Sequence, residues 1–332
     1  MIFHPPILAL ILASVLTTAM VVWASLFGVR VVRSWDITSG SQKQLELERK
    51  TYLVSTLITF VMAVELVSLF LFVFNADRMA VMFVGAMCAV GTLNVDPYGF
   101  PALYLKIGVF FAAVVWLMVN FADSQGKDYP LIRFKYGLLV GIAPLVVAAA
   151  VVQFLYFYNL QGDVITSCCS KVFTPKVDGI AAQMAGMDAA QSLWLLGAGY
   201  VVTFALAALF LKTGRGATLF ALSGAALFML GLTAVVSAIS LYVYEHPHHH
   251  CPFCLLKAEY NYFGYALYIP LFGGTALALA SGILSPFRKV ASLAAILPGM
   301  MRRFVVWSLI LFAAFGAVSA WAIFNSGLIL FG

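Results

Sequence analysis

The sequence predicts an all-α membrane protein, a polytopic bundle of about eight transmembrane helices. Of its 332 residues, 63% are hydrophobic and 10% are charged, whereas soluble globular domains carry about 25% charged residues. Apolar runs of about 20 residues recur along the chain, and each is long enough to cross the hydrocarbon core of a bilayer as a helix. Because these runs are long and continuous rather than short and alternating, they favour helices over a transmembrane barrel.

The apolar runs also predict the bounds of the spans. The first run is too long for the hydrophobic region of a secretory signal and has no basic segment before it, so we expect it to be retained as a span. The stretches between the runs are too short for a soluble domain. The predicted spans are residues 7–32, 51–75, 99–122, 132–158, 188–212, 217–244, 255–283 and 304–330.

The basic residues indicate the orientation of the chain, because cytoplasmic loops of membrane proteins are enriched in lysine and arginine. Most of the 19 basic residues lie in the connections between spans 1 and 2, 3 and 4, 5 and 6, and 7 and 8. We therefore expect a multi-pass protein of a bacterial inner membrane with both termini in the periplasm. The net charge of +6 follows from this pattern, so membrane lipid is the expected partner and nucleic acid is not.

The predicted spans suggest two similar halves. Residues 1–160 form a four-helix half that includes an apolar segment, 78–93, too short to span and expected to lie in the membrane interface. Residues 161–187 form an external loop, and residues 188–332 form a second four-helix half. Since both halves have four spans of the same orientation, the pattern suggests two parallel repeats.

All five cysteines fall in connections predicted to be external. Cys88 lies in the interfacial segment, the adjacent pair Cys168 and Cys169 lies in the external loop, and Cys251 and Cys254 form a Cys-Pro-Phe-Cys motif before span 7. Two cysteines at this spacing can close a disulfide or share a metal ion. A thiol at a helix N-terminus has a lowered pKa and reacts readily, so the motif predicts thiol chemistry; a static disulfide that pins the loop is the alternative.

Residues 230–272 resemble the DsbB-type disulfide-bond formation proteins and the related vitamin K epoxide reductase group. The resemblance lies in a hydrophobic helix, a short external connection, the Cys251–Cys254 motif, and a following helix with Tyr262, Gly264 and Tyr265. It implies that the motif is the redox centre, that Cys168 and Cys169 are the pair that shuttles disulfides, and that a quinone accepts electrons. A periplasmic thioredoxin-like protein would then be the partner.

The quinone site is less well defined by the sequence. Where the DsbB pattern has an arginine, this chain has Lys257 and Glu259, and Tyr262, Tyr265 and Tyr268 recur along span 7. These tyrosines either line a site for the quinone head group or form an aromatic belt at the membrane interface.

Two ionisable residues, Glu65 and Lys106, fall inside predicted spans 2 and 3. Charge inside a membrane is costly and marks functional sites by default. Either the two residues form a structural pair, or Glu65 takes up a proton when the quinone is reduced.

A cluster of imidazoles beside the thiols supports a different class of function. Imidazole and thiolate ligands suit zinc and copper ions, so the chain could be a soft-metal transporter or permease for copper, zinc or mercury. The alternative is that these partly protonated rings form a polar cap of the loop and bind no metal. The histidines concerned are His246, His248, His249 and His250.

The prediction for function is a thiol–disulfide oxidoreductase that acts on the periplasmic face and passes electrons between Cys251 and Cys254 and a membrane quinone. A non-catalytic membrane subunit of a respiratory complex is a third possibility. No nucleotide-binding or c-type haem motif occurs in the chain.

Overall fold

The computed structural model describes residues 4–126, 128–161, 166, 183–184 and 186–330. Its regular elements are helices, and no strand occurs among these residues. Eight helices of the described part are long and apolar enough to cross a membrane. The prediction of an all-α, multi-pass membrane protein is therefore confirmed.

We number the α-helices in chain order. A five-residue π-helical segment, Val235–Ile239, separates α7 from α8, so that these three pieces form one span. The helices are α1 (Pro5–Ser34), α2 (Gln42–Arg78), α3 (Ala89–Leu93), α4 (Gly99–Ser124), α5 (Ile132–Asn159), α6 (Ala189–Thr213), α7 (Ala217–Ala234), α8 (Ser240–Tyr244), α9 (Phe263–Leu284) and α10 (Leu297–Asn325).

The second and eighth spans begin earlier than their hydropathy indicates. Helix α2 starts at Gln42, nine residues before the predicted apolar run, because the hydroxyl of Ser41 caps it by accepting a hydrogen bond from the Gln44 backbone N–H at 3.3 Å. Such a cap satisfies a backbone donor that the first turn leaves unpaired. Helix α10 likewise begins at Leu297 and takes in part of the predicted link 284–303.

The seventh span begins later than predicted, at Phe263 rather than residue 255. Asn261 and Tyr262 have φ angles of +52° and +55°, and a right-handed helix cannot continue through left-handed residues. Two short 3₁₀ helices, Cys254–Leu256 and Ala258–Tyr260, precede them. Cys254 is therefore not at the N-terminus of the spanning helix, and the prediction that this helix dipole activates its thiol is wrong.

The chain divides into two compact units. Unit 1 comprises Met1–Val84, Thr92–Ile165 and Phe287–Leu297, and it contains the first four spanning helices. Unit 2 comprises Gly85–Gly91, Thr166–Pro286 and Pro298–Gly332, and it contains the last four. Cys88 thus belongs to unit 2, although it precedes most of that unit in the chain.

Unit 1 is a four-helix bundle in which α1 packs along α5, and α4 packs against α2 and α5. Trp116 and Tyr136 are completely buried in its core. The indole N–H of Trp116 donates to the Lys135 backbone carbonyl at 3.2 Å, and the Tyr136 hydroxyl donates to the Thr51 carbonyl at 3.1 Å. Both large polar aromatics are therefore satisfied inside the apolar core.

A buried ion pair joins α4 to α5 in unit 1. Nζ of Lys135 lies 2.7 Å from Oδ2 of Asp123, and the two side chains are 3% and 0% exposed. Oδ1 of Asp123 accepts the backbone N–H of Leu131 at 2.8 Å, and Lys135 also donates to Oδ1 of Asn120 at 3.1 Å. Each charge therefore has a partner in addition to the ion pair.

Glu65 and Lys106 are also buried in unit 1. Thr17 donates a hydrogen bond to the Glu65 carboxylate, and Nζ of Lys106 donates to the Ser68 hydroxyl at 2.8 Å. Between these two described residues there is no ion pair within 4.0 Å. Each side chain therefore hydrogen-bonds a hydroxyl of a neighbouring helix, and the two side chains do not bond each other.

Unit 2 is built around α7, which packs against α6 and α9. Gly224 of α7 lies so close to α9 that an added Cβ would stand 2.8 Å from the Cβ of Ala278. Helix α10 contacts α9 where the Ser308 hydroxyl donates to the Gly274 carbonyl at 2.7 Å. Small residues and interhelical hydrogen bonds of this kind are typical of helix packing in membranes.

Replacing Lys135 by methionine should leave Asp123 buried without its cation, and we expect a loss of about 3 kcal/mol or more of stability. The matched control is Lys50→Met in the pair that Lys50 forms with Glu46 at 2.6 Å, where the side chains are 58% and 63% exposed. That change should cost far less, because solvent screens an exposed ion pair. Thermal unfolding of the purified protein in detergent measures both, and equal losses would contradict this account.

Gly224→Ala should destabilise unit 2, because the added methyl group overpacks the contact with α9 by about 1–3 kcal/mol. Gly197→Ala in α6 is the control, since a Cβ there meets nothing within 4 Å. Alanine favours a helix over glycine by about 1 kcal/mol, so the control should be neutral or stabilising. Unfolding midpoints that fall equally for the two variants would refute the close approach.

Candidate functional site

Three cysteine side chains converge in unit 2. The Sγ atoms of Cys88 and Cys251 are 3.3 Å apart, and those of Cys88, Cys251 and Cys254 all lie within 4.8 Å of one another. None of the three is in a disulfide, so all are thiols. We call them the thiol cluster; the residues are 0%, 5% and 8% exposed, respectively.

The Cys-Pro-Phe-Cys loop leaves the end of α8 in a tight turn. Glu245 has a φ angle of +51° and ends the helix, and its backbone N–H donates to the carbonyl of Tyr242. After Cys254 the short 3₁₀ turn returns the chain, with the Lys257 N–H bonded to the Cys254 carbonyl at 3.1 Å. Cys251 thus lies in a non-helical loop, and Cys254 begins the short 3₁₀ helix that follows it.

Two tyrosines hold this loop by its backbone. The hydroxyl of Tyr244, at the end of α8, donates to the Cys251 carbonyl. The hydroxyl of Tyr268, in α9, donates to the Pro252 carbonyl at 2.8 Å. Because a carbonyl outside a regular helix has no ladder partner, these donors satisfy groups that would be costly to bury alone. They also fix the position of the Cys251 thiol.

The segment that carries Cys88 is held in the same way. The ammonium group of Lys257 donates to the carbonyl of Met87, the residue before Cys88. The Thr166 hydroxyl donates to the Gly91 carbonyl at 2.9 Å. Lys257, which follows the Cys-Pro-Phe-Cys motif, therefore ties that loop directly to the segment with the third cysteine.

The span before the loop contains the π-helical segment Val235–Ile239. A π-helical turn interrupts the regular hydrogen-bond ladder and is frequent at functional sites. The ring of His250 contacts the Val236 carbonyl, with Nδ1 and the oxygen 3.0 Å apart, and donates to it in the Nδ1-protonated tautomer. The histidine next to Cys251 is thereby engaged with the backbone of the preceding helix.

The cluster disfavours the thiolate form. Hydrogen bonding with Cys254, followed by burial, raises the pKa of the Cys251 thiol. Hydrogen bonding with Cys251 lowers the pKa of Cys254, but the contact with Cys88 and burial outweigh it, so this pKa is raised too. The positive charge of Lys257 opposes the rise only in part. Since the thiolate is the nucleophile, the closed cluster is a protected site.

None of the four histidines belongs to the thiol cluster. Among the described residues, that cluster is the group of at least three potential metal ligands that lie close together. His246 and His248 are exposed, and Nδ1 of His246 accepts the His248 backbone N–H at 3.3 Å. The ring of His249 stacks on Tyr244 with a centroid distance of 4.0 Å. Burial, then the neighbouring imidazoles, lowers the pKa of His249, so this ring takes up a proton less readily than a free imidazole.

The residues predicted for the quinone belong to both units. Glu259, Tyr262 and Tyr265 are exposed, with the two tyrosine rings 6.2 Å apart, and Lys257 is bound at the thiol cluster. Tyr268 instead holds the Cys-Pro-Phe-Cys loop. The buried Glu65 and Lys106 belong to unit 1.

Cys88 is the site residue whose role the sequence did not reveal. Its position in an external connection, 163 residues before Cys251, was the available signal, but nothing in the sequence shows that the two segments meet. Cys168 and Cys169, the predicted shuttle pair, lie outside the described residues.

Known proteins add no further assignment to this geometry. No protein-family model matches the chain, and no similar curated protein or solved structure was found. The chemistry of the site is therefore that of its own groups: three buried thiols, one nearby ammonium group and two tyrosine hydroxyls that hold the loop.

Tyr268→Phe should loosen the Cys-Pro-Phe-Cys loop, because it removes one hydrogen bond worth about 1 kcal/mol. We expect Cys251 and Cys254 to react up to about fivefold faster with a small alkylating reagent in native membranes. Tyr265→Phe is the matched control on the same helix, since Tyr265 is 38% exposed. Unchanged alkylation in Tyr268→Phe would show that this contact does not restrain the loop.

Proposed function

We propose that the protein is a membrane thiol–disulfide oxidoreductase and that the thiol cluster is its redox centre. The observation that carries the proposal is the meeting of Cys88 with the Cys-Pro-Phe-Cys motif, with all three sulfur atoms within 4.8 Å. A third thiol this close to a Cys-x-x-Cys pair can receive a disulfide from it without large movement. The resemblance of residues 230–272 to DsbB-type proteins supports the same chemistry.

The proposed exchange starts from a Cys251–Cys254 disulfide. A substrate thiolate attacks one sulfur and forms a mixed disulfide, and the substrate's second thiolate then releases an oxidised substrate. The enzyme gains two electrons and two protons as the thiols of Cys251 and Cys254. In the direction predicted from the resemblance, Cys168 and Cys169 are the pair that passes the disulfide to the substrate.

Cys88 has a place in this scheme as the resolving thiol. Its sulfur lies 3.3 Å from that of Cys251, so it can attack Cys251 and displace Cys254 or a bound substrate. A disulfide then moves from Cys251–Cys254 to Cys88–Cys251, with no net change in electrons. This transfer keeps a stalled mixed disulfide from persisting.

Exchange also requires the loop to open. The thiols are nearly inaccessible, and their raised pKa values leave little thiolate in the closed form. Release of the loop from Tyr244 and Tyr268 would expose Cys251 and Cys254 to solvent. The protein would thus react with a docked partner, such as a thioredoxin-like protein, and resist small water-soluble oxidants.

The electron acceptor we propose is a membrane quinone, which would take two electrons and two protons from the cluster. The exposed rings of Tyr262 and Tyr265 are the predicted residues that a lipid-soluble ring could reach. The cluster would face the periplasm of a bacterial inner membrane, with both termini on that side, as the distribution of basic residues predicts.

Differential alkylation and mass spectrometry of chelator-washed membranes test the proposal. In wild type, we expect added quinone to convert Cys251 and Cys254 to a disulfide and a dithiol substrate to reduce them again. Cys88→Ser, which removes a thiol with almost no change in volume, should trap mixed disulfides with the substrate that wild type resolves. Thermal unfolding of the variant controls for its fold.

Two results would overturn the proposal. Cysteines 251 and 254 that stay reduced at every quinone concentration would rule out oxidation by this acceptor class. Quinone-dependent cycling between thiol and disulfide that persists in Cys251→Ser and Cys254→Ser would place the redox centre elsewhere in the chain.

A further inference from the structure

We propose that the reduced thiol cluster is a binding site for one Cu⁺ ion, held by the Sγ atoms of Cys88, Cys251 and Cys254. This ligand set differs from the one that the sequence indicates, in which the histidines of residues 246–250 bind the metal. In the structure it is Cys88, distant in the chain, that lies beside Cys251 in place of those histidines. The site is separate in kind from thiol exchange, because binding requires all three thiols to be reduced and takes up no electrons.

The separation of the sulfur atoms fits a metal ion. Three ligands about 2.3 Å from an ion at the centre of a trigonal plane lie about 4.0 Å from one another. In the cluster one pair is 3.3 Å apart and every pair is within 4.8 Å, so shifts of well under 1 Å bring the sulfurs to the ideal arrangement. The three thiols converge from two segments whose cysteines, Cys88 and Cys251, are 163 residues apart in the chain.

The number and type of ligands favour Cu⁺ over Zn²⁺. Structural zinc sites are almost always four-coordinate, whereas among the described residues the cluster supplies three thiol ligands and no imidazole or carboxylate. Soft thiolate ligands suit both ions, so the number of ligands decides in favour of Cu⁺. The burial of all three cysteines also limits the access of bulk water as a fourth ligand.

The surroundings are suited to a bound cation with thiolate ligands. Binding releases the thiol protons to solvent and leaves the ion with its thiolates carrying net negative charge. The ammonium group of Lys257, held against the Met87 carbonyl beside Cys88, offsets part of this charge. The hydroxyls of Tyr244 and Tyr268 hold the loop that presents Cys251 and keep the ligands in place without metal.

A Cu⁺ ion in the cluster would close the site to thiol chemistry. The same sulfur atoms cannot be in a disulfide and coordinate the ion, so metal binding and oxidation are competing states. The protein would then either store or deliver Cu⁺, or its thiol exchange would be inhibited by Cu⁺. Each outcome follows from the affinity of the thiol cluster for Cu⁺.

The test uses a full-length background variant in which Cys168 and Cys169 are serine, so that the three cluster thiols are the only ones in the chain. The protein is purified in detergent under anaerobic, reducing conditions and titrated with Cu⁺ in competition with a chromophoric chelator. We expect one Cu⁺ per chain, with an X-ray absorption spectrum that shows three sulfur ligands at about 2.3 Å. No quinone or thiol substrate is present.

Single variants then identify the ligands. Changes to residues that only hydrogen-bond the ligands commonly weaken metal binding by about 10–100-fold. Loss of a ligand in Cys88→Ser, Cys251→Ser or Cys254→Ser should therefore weaken it by about a hundredfold or more. His248→Ala is the matched control, since His248 lies in the same connection and is exposed. It should leave the affinity within about twofold of the background.

Three results would overturn the assignment: Cu⁺ binding unchanged in Cys88→Ser, binding lost in His248→Ala, or Zn²⁺ bound more tightly than Cu⁺ by the same thiols. The two proposals can fail separately. Disulfide cycling is measured in chelator-washed membranes, and Cu⁺ binding is measured without any electron acceptor.

Discussion

The structure depends above all on the cost of burying a backbone polar group without a partner. In the apolar interior of a membrane that cost is several kcal/mol for each group, so the spanning segments must be helices that satisfy their own backbone. The site in unit 2 is where the chain leaves the helix while still buried. There side chains donate hydrogen bonds to backbone carbonyls outside the helices: Tyr244 donates to Cys251, Tyr268 to Pro252 and Lys257 to Met87.

These hydrogen bonds do more than satisfy backbone carbonyls, because they position the thiols. The carbonyl of Cys251 is tied to α8 and that of Pro252 to α9, so the loop between them has little freedom to move its sulfur atoms. The hydrogen bond from Lys257 to the Met87 carbonyl holds the Cys88 segment against the loop. A cluster assembled in this way is both close enough for sulfur chemistry and shielded from solvent.

Unit 1 uses the same rule for a different purpose. Its buried ionisable side chains all have hydrogen-bond partners, as in the network of Asp123 and Lys135 with Asn120. Glu65 and Lys106 are satisfied by hydroxyls of neighbouring helices. Such groups hold helices together at the cost of desolvation.

The sequence by itself determined the fold class and the nature of the reactive groups. Hydropathy is a local property, so eight apolar runs were enough to predict eight spanning helices. Their ends were less predictable, because the cap at Ser41 and the left-handed residues Asn261 and Tyr262 act through backbone geometry that hydropathy does not report. The Cys-Pro-Phe-Cys motif likewise identified two of the three cluster thiols.

Only the tertiary structure decided which residues meet. Cys88 joins Cys251 and Cys254 across 163 residues, while the four histidines next to the motif stay out of the cluster. Nearness in the chain favoured the histidines, but the turn at Glu245 and the contacts of His249 and His250 direct their rings away. Side-chain convergence depends on helix packing and on the donors that hold the loop. Neither can be read from a local pattern. The sequence therefore indicated the kinds of side chain, and the fold determined which of them meet.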